Sequence, residues 1–134
     1  MIVATSGCFD ILHAGHVDFL ARCAKHGKLI VFLNSDASVR KLKGKQRPIN
    51  NQKHRKYILE QLKCVHKVYV FNEQTPVRLI QKFRPRIYFK GNDYKPKLLV
   101  EFPVVQAYNG RVKILSFKYN ISTTKIVNKI LDNK

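Results

Sequence analysis

Short apolar runs alternate along this chain with stretches in which apolar residues recur at helical spacing. The runs are rich in Val, Ile, Phe and Tyr, as buried strands are, and occupy residues 2–5, 29–33, 68–71, 87–89 and 112–117. Helical spacing occurs within 17–24, 52–62, 77–83 and 122–131. The alternation predicts a doubly wound α/β fold: a mostly parallel, five-stranded sheet with helices on both faces.

The length of 134 residues suits one domain, and we expect residues 1–134 to form it. The prolines and most glycines fall at or between the ends of predicted elements. The one stretch expected to be flexible is the Lys/Arg-rich connection 40–51.

Cysteine content and the amino terminus bear on the compartment. Cys8, Cys23 and Cys64 are too few and too scattered for a disulfide framework or a Cys-x-x-Cys site. Residues 1–6 lack the basic region of a signal peptide and are too short an apolar stretch for a membrane span. We therefore expect a cytoplasmic protein that does not act at a membrane.

The charge is strongly unbalanced, since 26 Lys and Arg against 8 Asp and Glu give a net charge of +18. Such a charge favours an anionic partner but does not choose among nucleic acid, a membrane surface and a phosphorylated metabolite.

The turn after the first predicted strand, residues 7–16, is the place where an open parallel sheet binds ligands. Gly7 permits a close or unusual turn, and Gly15 opens the next helix so that its free N–H groups can face an anion. His13 and His16 lie three residues apart at that helix end, where imidazoles can donate to phosphate oxygens. The pattern predicts a phosphate site.

Two other interpretations of the histidines remain. His16 can simply cap the helix while His13 lies on the surface. A zinc site would need a third ligand, and His26, His54 and His66 form no cluster with ligand spacing. No residue is therefore assigned as a metal ligand, although Asp10 and Asp36, near the ends of the first two predicted strands, could hold structure, substrate hydroxyls or a metal.

The motif Gly7-Cys8-Phe9-Asp10 followed by His13-Ala14-Gly15-His16 resembles the signature of the cytidylyltransferase-like superfamily. The segment 121–126 resembles the Ser-Thr-Thr segment that opens the last helix in that superfamily. The resemblance implies that the two histidines line a triphosphate site, and that Ser122, Thr123 and Thr124 bind the β- and γ-phosphates with the helix N-terminus behind them.

Within the superfamily, the chain is similar over nearly its full length to the adenylyltransferase domain of the bacterial enzyme that makes ADP-heptose. Cys8 occupies a position where Thr is commoner, and the heptose enzymes also carry Cys there. Residues 117–120 depart from the pattern that is usual before the Ser-Thr-Thr segment in the superfamily. This weakens the inference about which nucleobase the chain binds. The segments that carry this likeness are Asn34-Ser35-Asp36-Ala37-Ser38, Leu42-Lys43-Gly44, Arg47-Pro48-Ile49-Asn50, Thr75-Pro76 and Lys90-Gly91-Asn92-Asp93-Tyr94.

The resemblance implies a reaction in which ATP and a heptose 1-phosphate give ADP-heptose and pyrophosphate. Mg²⁺ is expected on the phosphates, and the chain is expected to act without the sugar kinase to which such domains are often fused. His13, His16 and Lys43 are the implied catalytic residues. The implied nucleotide pocket adds Cys8, Phe9, Gly15, Lys45, Gly91, Asp93, Ser122, Thr123 and Thr124, and the implied acceptor site comprises Asp10, Asp36, Lys43, Arg55 and Lys90. Relatives are usually homodimers, so a homodimer is expected.

Two alternatives stay open. A glycerol-3-phosphate cytidylyltransferase would use CTP and a polyol phosphate with the same two motifs. A basic nucleic-acid-binding module would need basic and aromatic residues on one face, as residues 82–90 suggest, yet 87–89 is more simply a buried strand. Nucleic acid is therefore the less favoured partner.

Overall fold

The computed structural model describes residues 1–92, 99–119 and 121–133. In chain order its elements are β1 (Ile2–Gly7), α1 (Ala14–Ala24), β2 (Lys28–Asn34), α2 (Asp36–Lys43), α3 (Gln52–Glu60), β3 (Val65–Phe71), α4 (Val77–Phe83), β4 (Ile87–Gly91), α5 (Glu101–Ala107), β5 (Arg111–Leu115) and α6 (Thr123–Asp132). The strands form one five-stranded sheet in the order β3-β2-β1-β4-β5, with every pairing parallel. The predicted fold class is confirmed.

Two helices were not among the predicted elements. Ser35 caps α2 by accepting from the N–H of Ser38 at 3.1 Å, but only Ser38 and Val39 of this helix are buried, so it carries little apolar signal. Helix α2 includes residues 40–43, the start of the Lys/Arg-rich connection that was expected to be flexible. Helix α5 holds Pro103 in its first turn, where a proline costs no intrahelical hydrogen bond. The last strand ends at Leu115, earlier than predicted.

The core has two parts because successive side chains of the central strands point to opposite faces of the sheet. From β2, Leu29, Val31 and Leu33 enter one hydrophobic cluster, which also holds Leu20 of α1 and Leu59 of α3. Ile30 and Phe32 enter the cluster on the other face, which also holds side chains of α4, β4 and α5 (Leu79, Ile80, Tyr88, Val105). Helices therefore cover both faces, as the alternation of strand and helix patterns predicted.

The strand order reverses at β1. From β1 the chain builds outward through β2 to β3, and then returns to build β4 and β5 on the other side. The connections after β1 and β4 consequently leave the sheet in different directions, and a crevice opens between them at the carboxyl ends of the strands.

Helix α6 packs differently from the others. It has no buried residue, and Ile130 and Leu131 are exposed. Within residues 1–92, 99–119 and 121–133, no helix combines the length and the apolar character needed to cross a membrane.

Candidate active site

A cleft of about 830 Å³ lies at the carboxyl ends of β1 and β4. Eight of the residues predicted from the sequence line it: Cys8, Phe9, Asp10, His16, Lys43, Lys90, Gly91 and Thr123. Residues from distant parts of the chain thus meet at the reversal point of the sheet.

The turn after β1 holds an uncommon backbone conformation. Phe9 and Ile11 have φ angles of 46° and 50°, which non-glycine residues rarely adopt. Phe9 is buried and presents its ring to the edge of the His16 ring, with centroids 5.4 Å apart. Thr123 donates its hydroxyl to the Asp10 carbonyl at 2.5 Å. Packing and this long-range hydrogen bond together hold the turn in place.

His13 and His16 form a reciprocal cap at the start of α1. The backbone N–H of His16 donates to Nδ1 of His13 at 3.4 Å, and the N–H of His13 donates to Nδ1 of His16 at 3.3 Å. The two rings stack with centroids 3.7 Å apart. Since each Nδ1 accepts, each neutral ring carries its proton on Nε2, which leaves that N–H as a donor. Capping and anion binding therefore use different nitrogens of the same rings and are compatible.

The histidines favour the neutral state. Burial, with nearby His13 and Lys43, lowers the pKa of His16 from 6.5 to about 4. Burial likewise lowers the pKa of His13. At neutral pH the pair therefore offers N–H donors without positive charge.

Gly15 makes room for this arrangement. A Cβ at this position would lie 3.0 Å from Cε1 and 3.1 Å from Nδ1 of His13. The backbone carbonyl of Ile121, just before α6, would lie 3.8 Å away. The glycine thus lets the His13 ring fold over the helix N-terminus.

The Ser-Thr-Thr segment meets the first turn through one residue. Ser122 caps α6 by accepting from the N–H of Lys125 at 3.1 Å, and Thr123 binds the Asp10 carbonyl and lines the cleft. Thr124 is exposed and is not among the residues that line the cleft. The two motifs, far apart in sequence, are joined at the Asp10 to Thr123 hydrogen bond.

Asp10 was predicted to contact the acceptor, but its carboxylate is occupied by the backbone. One oxygen accepts from the N–H of Ile49 at 2.6 Å and the other from the N–H of Asn50 at 2.9 Å. Asp10 is 6% exposed. Its role in this structure is to anchor the segment that follows the cis peptide between Arg47 and Pro48.

Arg55 also differs from its predicted place at the acceptor. Its side chain is 1% exposed and donates to the carbonyls of Asn50, Cys8 and Asn34, each at 2.8 Å. A fourth hydrogen bond, of 2.9 Å, goes to the carboxylate of Asp36, which was also assigned to the acceptor. The guanidinium is directed at protein oxygens, so the structure gives Arg55 and Asp36 a positioning role around the cleft.

Positive side chains line the cleft from two sides. Lys43 reaches it from the end of α2 and Lys90 from β4, as predicted. Arg47 also lines the cleft, although it was not among the predicted site residues. The sequence signal that could have identified Arg47 was its place in the segment 47–50, which is similar to the ADP-heptose enzymes. Lys45 is exposed and does not line the cleft in this structure. Asp93 lies outside the described residues.

Comparison with known proteins agrees with this geometry. The family model described as cytidylyltransferase-like matches residues 4–129. The chain belongs to the cytidylyltransferase-like family. It is 47% identical over 131 residues to the bifunctional protein HldE of Geobacter metallireducens, and 51% identical over 130 residues to the HldE of Proteus mirabilis. These matches cover 97% and 96% of the chain but only 27% of each relative, so the chain spans about a quarter of their length.

Two solved structures share the fold of this chain. The lipopolysaccharide core biosynthesis protein of Thermoplasma volcanium superposes with a TM-score of 0.71 at 27% identity, covering 90% of this chain and 98% of that one. The pantoate-beta-alanine ligase of Francisella tularensis shares the fold, with a TM-score of 0.61 at 15% identity over 98% of this chain and 70% of that one.

The first prediction concerns the buried guanidinium. We expect Arg55→Met to lower the free energy of unfolding by about 3–5 kcal/mol, because it leaves a partly buried carboxylate and three carbonyls without their donor. Lys53→Met, an exposed change on the same helix, is the matched control. Urea unfolding of both variants checks this, and equal midpoints would contradict the role assigned to Arg55.

The second prediction concerns pH. Because the pKa of His16 is lower in the folded chain than its ordinary 6.5, the unfolded chain takes up the proton first as the pH falls. The stability that depends on neutral His16 is complete above pH 6.5 and is lost as the pH falls towards 4.

We expect His16→Asn to reduce the difference in unfolding free energy between about pH 7.5 and about pH 5. Exposed His54 on α3 supplies the control, His54→Asn. If the unfolding free energy of His16→Asn changed with pH as much as that of the wild type, another group would carry the pH dependence.

Proposed function

We propose that this chain transfers AMP from ATP to a heptose 1-phosphate, giving ADP-heptose and pyrophosphate. The observation that carries the proposal is the convergence at one cleft of the histidine cap of α1, Thr123 of α6, and Lys43 and Lys90. The likeness to HldE proteins and to a lipopolysaccharide core biosynthesis protein supports the heptose branch. The motifs around Cys8 and Lys90 are the segments of the sequence in which that likeness is most specific.

In this reaction an oxygen of the sugar phosphate attacks the α-phosphorus of ATP, and the bond to the bridging oxygen of pyrophosphate breaks. The attacking phosphate is already an anion near neutral pH, so no strong base is needed. The catalytic work consists of placing the two phosphates in line and stabilising the charge that develops on the leaving group.

The residues divide these tasks. Nε2–H of His16, which lines the cleft, donates to the triphosphate, and His13 holds the His16 ring in position through the reciprocal cap. The free N–H groups at the start of α6 bind the far phosphates, and the Thr123 hydroxyl, which donates its proton to the Asp10 carbonyl, holds that helix start against the turn after β1. Lys43, Arg47 and Lys90 neutralise part of the negative charge of the two substrates. They thereby reduce the repulsion between the acceptor phosphate and ATP.

Mg²⁺ suits this site as a companion of the triphosphate. The part of the chain that the structure describes has no group of three or more His, Cys, Asp or Glu side chains placed to hold a metal ion. Both carboxylate oxygens of Asp10 already accept backbone N–H groups. When bound to the phosphates, the ion neutralises charge and helps to align them.

Three further expectations belong to this proposal. The three free cysteines suit a reducing cytoplasmic compartment. The predicted homodimer stays a prediction, as does the choice of ATP over CTP. Glycerol 3-phosphate with CTP is the alternative pair of substrates.

The test is pyrophosphate release by the whole chain with Mg²⁺. We expect turnover with ATP and a heptose 1-phosphate, and at least a tenfold lower rate with CTP or glycerol 3-phosphate. We expect His16→Ala to lower kcat by about 10²–10³, the range for losing one preorganised donor to developing charge. His54→Ala should retain wild-type kcat. Turnover only with CTP and glycerol 3-phosphate would refute the heptose assignment.

A further inference from the structure

We propose that the cleft contains a separate subsite for the hydroxyl groups of a sugar ring, formed by Ser6, Tyr88 and Glu101. None of these residues was predicted from the sequence. Ser6 of β1 and Glu101 of the first turn of α5 both line the cleft. Tyr88 of β4 is fully buried beneath them. The subsite thus lies at the reversal point of the sheet.

Hydrogen bonds connect the three side chains. The hydroxyl oxygens of Tyr88 and Ser6 are 2.5 Å apart, and the Tyr88 hydroxyl lies 3.5 Å from a carboxyl oxygen of Glu101. Lys90 donates to the Ser6 hydroxyl at 3.3 Å. The network therefore runs from a cation to a carboxyl group through two hydroxyls, which gives it both donors and acceptors.

Glu101 is the unusual member. It is 5% exposed, and the ion pairs found among the described residues do not include it. Its hydrogen bond from Tyr88 is long, so its carboxyl oxygens keep acceptor capacity. Burying such a group is costly unless hydrogen-bond donors satisfy it. A ligand with hydroxyl donors would supply them.

The chemistry of the rest of the cleft indicates which part of a ligand fits here. Lys43, Arg47 and Lys90 attract phosphates, whereas a carboxylate repels them. Hydroxyl groups donate to carboxyl oxygens and accept from ammonium groups. Glu101 consequently marks the position of the uncharged, hydroxyl-bearing portion of a phosphorylated ligand.

Two sources supply such hydroxyls under the proposed function on which this inference rests: the ribose of the nucleotide and the ring of the acceptor sugar. Equilibrium binding separates them without requiring turnover. The probes are ATP, 2′-deoxy-ATP, 3′-deoxy-ATP and a heptose 1-phosphate, measured by calorimetry with the wild type, Glu101→Gln and Tyr88→Phe.

We expect Glu101→Gln to weaken one ligand about tenfold, as loss of a hydrogen bond to a charged group does, while the other ligand binds as before. If the ribose occupies the subsite, the wild type prefers ATP to a deoxy analogue and the variant loses that preference. If the acceptor occupies it, only the Kd for heptose 1-phosphate rises. Tyr88→Phe, which retains the buried ring, should change the same ligand in the same direction.

Tyr108→Phe is the matched control, because the Tyr108 hydroxyl binds the carbonyl of Pro85 at 2.8 Å and is not among the residues lining the cleft. It should leave every Kd unchanged. Unchanged binding of all four probes by folded Glu101→Gln and Tyr88→Phe, or no binding of any probe by the wild type, would overturn the subsite. A selective rise in Kd in Glu101→Gln, without pyrophosphate release by the wild type, would instead refute the proposed function and leave the subsite supported.

Discussion

The geometry of the cleft depends on one buried cation. The Arg55 guanidinium joins the turn after β1, the end of β2, the start of α2 and the segment after the cis peptide, through Cys8, Asn34, Asp36 and Asn50. Three of those segments offer backbone carbonyls that need donors, and the start of α2 offers the Asp36 carboxylate. A planar group with five donors can satisfy several of them at once, which a lysine cannot do.

Asp10 extends this support across the cleft. Its carboxylate holds the segment at residues 49–50, and its own carbonyl accepts from Thr123 at the start of α6. The two motifs assigned to phosphate in the proposed reaction are therefore linked by a hydrogen bond to the Asp10 backbone, while the Asp10 carboxylate points into the protein. Positive charge reaches the ligand from other side chains, Lys43, Arg47 and Lys90.

The cleft combines two kinds of chemistry. Burial lowers the pKa of both histidines, and nearby Lys43 lowers that of His16 further, so in the proposed reaction they act as uncharged donors in a site whose lysines supply the charge. At the reversal point, Ser6, Tyr88 and Glu101 add an acceptor group among these cations. A phosphorylated sugar has complementary parts, an anion and a set of hydroxyls, and the division of the cleft matches that pair.

The sequence by itself determined the sheet, four of the helices and the two motifs to which phosphate binding is assigned, since buried strands and amphipathic helices leave periodic apolar patterns and the motifs are local. It did not reveal α2 or α5, which bury few residues. Only the tertiary structure decided that Arg55, Asp36 and Asp10 bind groups of the protein itself and that Glu101 and Arg47 face the cleft. A charged residue has the same appearance in a sequence whether it binds a ligand or the backbone, because its partners come from other elements and meet it only when the chain folds.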